Sequence, residues 1–244
     1  MEDVRCPIVE LRQYTLHDGK RDVLIDLFER EFIEPQEAAG MVVIGQFRDL
    51  EDPDRFVWLR GFQDMPRRAE ALGTFYGGPV WKANRAQANA TMVDSDNVLL
   101  LRPVDPRSGF PVTVAARFPF GRTAVPPSLV VATLYRRDNP FDEAFAEFFD
   151  RSIRPVMTES GATPLACLQT EHAENTFPAL PVRTGENVFV WFSQFADQAD
   201  FAGHLQHLAR SRVWRDHLQP QLSAMLADEP QRLRLAPTAR SLLR

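Results

Sequence analysis

The sequence predicts an α+β protein made of two copies of a βαββαβ unit, and three observations carry that reading. Landmark residues recur at long spacing: Tyr14 and Tyr135, Phe28 and Phe149, and Gly40 and Gly161 stand 121 positions apart, while Trp58 and Trp191, Phe62 and Phe195, and Trp81 and Trp214 stand 133 apart. The offset grows by twelve where the second copy carries a longer polar loop, around Glu171 to Asn187. A repeat of this length is a duplicated small domain, since solenoid units run to roughly 20–50 residues. Within each copy, stretches of period-two alternation are followed by stripes of helical spacing, in the same order both times.

Pro7 to Leu16 sets Val9, Leu11 and Gln13 against Glu10, Arg12 and Tyr14, the pattern of a half-buried strand. Lys20 to Ala39 places Leu24, Ile25, Phe28 and Phe32 on one helical face, with Asp18 to cap its start, Gly40 to end it, and Pro35 to kink or stop it. Met41 to Leu50 and Arg55 to Phe62 form a hairpin turned at Pro53. Asp64 caps a helical region that Gly77 and Gly78 interrupt, Pro79 to Met92 continues it, and Asn97 to Pro103 is the closing strand. That order is the ferredoxin-like, split-βαβ unit.

Residues 104–127 hold five prolines and read as a connection between repeats 1–103 and 128–244, with extended pieces at Val112 to Ala116. Ser128 to Tyr135 then restarts the pattern. Asn139 and Pro140 open a helix carrying Phe141, Phe145, Phe148 and Phe149; Val188 to Phe195 matches the third strand, Asp197 to Leu226 the interrupted helix, and Arg232 to Ala236 the last strand.

Composition narrows the function classes. Hydrophobic residues at 44% and charged residues at 25% describe an ordinary globular protein, and a net charge of −5 gives no reason to expect nucleic acid or an acidic membrane as partner. The first residues, MEDVRCPIVELRQY, show no secretory pattern, and no apolar run approaches the ~20 residues of a membrane span. Cys6 and Cys167 stand alone, so neither a disulfide framework nor a zinc site is expected. A cytoplasmic location is the default. P-loop, GxGxxG, GxSxG and HExxH motifs are absent, which disfavours nucleotide, serine-hydrolase and zincin chemistry.

The segment VELRQYTLHDGKRDVLIDLFE, the strand RFVWLRGF and the stretch FYGGPVWKANRAQANATMVDS resemble the NIPSNAP family, a branch of the dimeric α+β barrel superfamily, over about residues 8 to 103. The second copy is a more diverged version. The resemblance implies a four-stranded antiparallel sheet per copy, helices on one face, and two sheets paired face to face as a barrel. In many relatives two chains pair; here the copies could pair within one chain, and a homodimer stays open. The family has no common catalytic motif to carry over. If the chain is catalytic, the superfamily implies cofactor-free oxygenation of an electron-rich aromatic, or proton transfer and isomerisation.

The candidate site follows from strand faces. Glu10, Arg12 and Tyr14 share one face of the first strand and Phe56, Trp58, Arg60 and Phe62 one face of the third; these sets are expected to line the barrel interior as a polar patch among aromatics. Arg12 and Arg60 suit an anionic or enolate oxygen, Tyr14 a donated hydrogen bond or proton, and His17, at the turn after the strand, an acid or base at the pocket mouth. Glu10, Trp58, Tyr76, Trp81, Tyr135, Trp191 and Ser193 complete the expected lining for a small apolar or aromatic ligand. The second copy replaces Glu10 by Val131, Arg12 by Thr133 and Arg60 by Ser193, so the ionisable groups sit in the first. Competing readings are a structural ion network of Glu10, Arg12 and Arg60, tryptophans that only pack, a solvated turn at His17, and a filled, non-enzymatic scaffold. A further one is haem held by His204, His207 or His217. No metal or cofactor is expected.

Overall fold

The structure is a computed structural model that describes residues 6–110, 117–121, 124–125 and 127–244. The extended pieces expected at Val112 to Ala116 lie outside the described residues. The first half runs β1 (Ile8–Leu16), α1 (Arg21–Leu27), α2 (Ile33–Ala38), β2 (Val42–Asp49), β3 (Arg55–Phe62), α3 (Met65–Gly77), α4 (Pro79–Asn89), a short β4 (Met92–Asp94) and β5 (Val98–Pro103). The second runs β6 (Leu129–Arg137), α5 (Glu143–Phe148), α6 (Arg154–Glu159), β7 (Ala166–Thr170), β8 (Asn187–Phe195), α7 (Gln198–Arg210), α8 (Gln219–Ser223) and β9 (Gln231–Pro237).

Strands β2-β3-β1-β5 form one antiparallel array and β7-β8-β6-β9 the other. Two seams join them: Phe47 faces Pro237 between β2 and β9, and Leu101 faces Thr170 between β5 and β7. Eight strands of one chain thereby close an antiparallel barrel, which leaves no long open edge. Each strand sends an apolar face inward; Leu11, Phe47, Leu59, Leu101, Leu134, Leu168, Val190 and Leu235 meet there, one from each strand, all nearly inaccessible. The outward faces are buried again, under α1–α4 in the first half and α5–α8 in the second.

The helices show why the prolines are tolerated. Pro35 does not stop the first helix: a π turn, Phe28–Phe32, precedes it, and α2 continues through the proline. The same device recurs at Phe149–Ile153 before Pro155 and at Trp214–Leu218 before Pro220. A helical proline lacks an N–H and its ring crowds the carbonyl four residues back. Those carbonyls belong to Glu31, Arg151 and Asp216, each inside a π turn, whose wider coil makes the room. Gly40 (φ 97°) and Gly161 (φ 99°) end α2 and α6 in the left-handed region, as expected for the first. Capping differs from expectation at two starts. Lys20, not Asp18, precedes α1 and supplies no side-chain bond, while Asp142, not Asn139, caps α5 by accepting from Phe145 N.

Candidate functional site

The two sets of side chains expected to line the barrel interior do share one face, but it is the outer one. Glu10 pairs across from Arg60, Arg12 from Trp58 and Tyr14 from Phe56, and all point into the layer between sheet and helices. The interior instead receives the intervening Val9, Leu11, Val57 and Leu59. The alternation was legible; its assignment to inside and outside reversed, because an eight-stranded lumen is filled by side chains and here takes the apolar face.

In the first half this layer holds a buried ion network. The Glu10 carboxylate accepts from Arg12 Nη1, Arg60 Nε and Arg68 Nε, each at 2.7 Å. Arg12 Nε donates to the Tyr14 hydroxyl at 2.9 Å, and Arg60 Nη1 reaches Gln36 Oε1 at 3.2 Å and the Tyr76 hydroxyl at 3.4 Å. Burial alone would raise the Glu10 pKa, but Arg60, Arg12 and Arg68 together hold it far below the usual carboxylate range. Burial raises the Tyr14 pKa, so its hydroxyl keeps its proton. Trp58 stacks under Arg60, at 5.0 Å from its ring centroid, and Trp81 packs on Phe32 and Tyr76. His17 is exposed at its turn and does not touch this cluster. Arg68, on α3, was missed. It lies on the buried stripe with Leu72 and Phe75, and its counterpart 133 positions on is Phe201, so a charged residue on an otherwise apolar stripe was the available signal.

The second half replaces that network with space. A cavity of about 180 Å³ lies between the sheet and α7–α8, bordered on the sheet side by Val131, Thr133, Tyr135, Trp191, Ser193 and Arg232, and on the helix side by His204, Leu208 and Trp214. Small residues at the positions of Arg12 and Arg60 vacate the volume. The Thr133 and Ser193 hydroxyls, 3% and 1% exposed by residue, have no hydrogen-bond partner among the described residues. Trp191 Nε1 donates to the Tyr135 hydroxyl at 3.0 Å, and burial raises the Tyr135 pKa, which leaves its own proton available.

His204 is the titratable group on the opposite wall. Ser160 Oγ donates to Met157 O at 2.9 Å, so its contact with His204 Nδ1, also 2.9 Å, requires the ring to donate. The hydrogen therefore sits on Nδ1 and Nε2 keeps its lone pair. Burial lowers the His204 pKa, which favours this neutral form. His207 and His217 are exposed. A larger groove of about 640 Å³ opens beside α5 and β7, where Arg154 is paired with Asp150 at 2.6 Å.

An α+β barrel closed within one chain, clad in helices and enclosing a small cavity in the cladding layer, defines the class. Residues 9–106 match the sequence model of the NIPSNAP family. A candidate monooxygenase of Fusobacterium nucleatum has the same fold over 96% of this chain and 93% of its own, at 12% identity and a TM-score of 0.53. An anthrone oxidase-like protein aligns over 95% and 91% at 13% identity and a TM-score of 0.54. A NIPSNAP family protein of Agrobacterium tumefaciens is 26% identical and covers 40% of this chain and 93% of its own, at a TM-score of 0.38. No curated protein matches the sequence. Among the described residues no helix is long and apolar enough to cross a membrane.

Proposed function

We propose that this chain is a small-molecule-binding barrel of two ferredoxin-like repeats, residues 1–103 and 128–244. In this reading the cavity of the second repeat takes a compact, largely apolar or aromatic ligand bearing a carbonyl or phenol oxygen. One observation carries the reading: two hydroxyl-bearing residues, Thr133 and Ser193, line a cavity whose other wall holds a neutral histidine. Hydroxyls that line a cavity offer a ligand oxygen hydrogen-bond partners. About 180 Å³ is below the ~300–1,000 Å³ of drug-sized sites, which suits one or two fused rings rather than a macrocycle such as haem.

The chemistry that fits is cofactor-free proton abstraction. His204 Nε2 removes a proton from carbon next to a carbonyl; the C–H electron pair forms the C=C bond as the carbonyl π pair moves to the oxygen, and the enolate so formed accepts from Ser193, Thr133 or Tyr135. The bicyclic ketone 2-indanone is a suitable probe. Calorimetry is expected to show saturable binding that Ser193→Leu abolishes by filling the cavity. Deuterium exchange at its α-carbons is expected to be faster with protein than in buffer, and His204→Asn should remove that acceleration while preserving binding. Binding with no acceleration would support the non-catalytic reading, which the filled barrel lumen favours.

A further inference from the structure

The first half carries a second, differently charged feature. Three guanidinium groups, Arg12, Arg60 and Arg68, share a single carboxylate, Glu10, and all four side chains are 0–1% exposed. Two positive charges are thus buried in excess. The donors are incompletely used as well: among the described residues Arg60 Nη2 and Arg68 Nη2 have no partner, and neither does Trp58 Nε1 beside them. An uncompensated buried charge is among the most costly features a fold can hold. The Arg68 pKa is lowered, by burial first, with Arg60 and Arg12 acting in the same sense against the pull of Glu10.

The long loop of the second half closes over this spot. It is pinned to β5 at both ends, by Glu171 N to Leu100 O and Arg183 N to Val98 O, each at 2.9 Å. At its centre Asn175 Oδ1 accepts from Arg68 Nη1 at 2.9 Å and Thr176 Oγ1 from the same nitrogen at 3.3 Å, while Phe177 stacks on Tyr76 with centroids 6.1 Å apart. The outer edge of Arg68, Nη1 with Nη2, thus meets only neutral oxygens, and half of it meets none. That edge is the one a carboxylate takes with two parallel hydrogen bonds.

We propose that the sheet–helix layer of the first half is a binding site for a small carboxylate-bearing molecule, received by Arg68 and Arg60, with Asn175 to Phe177 as the strap that seals it. The ligand carboxylate displaces Asn175 and Thr176 from Arg68, supplies the missing negative charge, and sets its body against Tyr76 and Phe177. The loop that lengthens the second copy would then serve the first.

Benzoate is the probe and benzyl alcohol its neutral counterpart. Benzoate is expected to raise the Tm of the full chain saturably, and benzyl alcohol is not. Arg68→Met should weaken benzoate binding by on the order of ten-fold or more, while the ligand-free Tm holds or rises because an unpaired charge is gone and Glu10 keeps Arg12 and Arg60. Equal responses to the two probes, or no response, would overturn the proposal. So would a sharp fall in the ligand-free Tm of Arg68→Met with benzoate binding intact. The double variant Asn175→Ala, Thr176→Val leaves every arginine in place and should tighten benzoate binding; unchanged or weaker binding contradicts the strap. Ser193→Leu should leave benzoate binding unaltered, which keeps this site separable from the cavity of the second half.

Discussion

At the residue scale, the same backbone positions hold opposite solutions in the two halves. Glu10, Arg12, Arg60 and Arg68 fill the layer with charge; Val131, Thr133, Ser193 and Phe201 stand at the corresponding places and leave a cavity. Glu10, Arg12 and Arg60 were identifiable from strand alternation, and so was their absence from the second copy, whereas Arg68 on α3 was not. That absence marks the cavity, a consequence invisible while volume was left out of the comparison. His204 also shows the limit of spacing arguments. Its relation to His207 and His217 suggested a ligating set, whereas burial and the bond to Ser160 make it a lone neutral base. Its folded pKa lies below the unfolded value of 6.5, so the unfolded chain binds the extra proton as pH falls through that value. Stability should therefore be fully present above about pH 7 and decline below 6.5, by up to about 1.4 kcal/mol per pH unit until the folded pKa is reached. Urea titrations of wild type and His204→Asn across pH 5–7.5 are expected to differ by that slope; parallel curves would contradict the assignment.

At the element scale, most strands were legible because period-two alternation survives even when both faces are buried. Which face is inside was not, since it depends on pairing with strands more than a hundred residues away. β7 was implied only by the repeat, as its five residues carry little pattern of their own. The helices were legible as stripes, but the π turns ahead of Pro35, Pro155 and Pro220 follow from local crowding that a propensity reading turns into a stop. The duplication makes a matched prediction. Gly40 and Gly161 adopt nearly the same positive φ, 97° and 99°, with open space where a Cβ would stand. Alanine at either site meets only the backbone penalty of the left-handed region, about 1–2 kcal/mol. Gly40→Ala and Gly161→Ala should therefore lower urea stability by the same amount; a marked difference would show that the two helix ends are not equivalent.

At the scale of the whole molecule, two four-stranded arrays meet at two seams, so the lumen is a shared apolar core. Both proposed sites lie outward in the helix–sheet layers, where the halves have diverged. The barrel itself was foreseen by resemblance; whether it closes within one chain or between two was left open by the tandem repeat, and the two seams close it within one. The long loop was visible as a twelve-residue step in the repeat spacing, yet its destination, over Arg68 of the other half, emerges only when the sheets close. The most direct test of the account is a crystal structure of the protein grown with 2-indanone. The ketone is expected between Trp191 and His204, its oxygen within hydrogen-bond reach of Ser193 or Thr133. Ligand found inside the barrel lumen, or only in the open groove beside α5, with the cavity of the second half still empty, would contradict it.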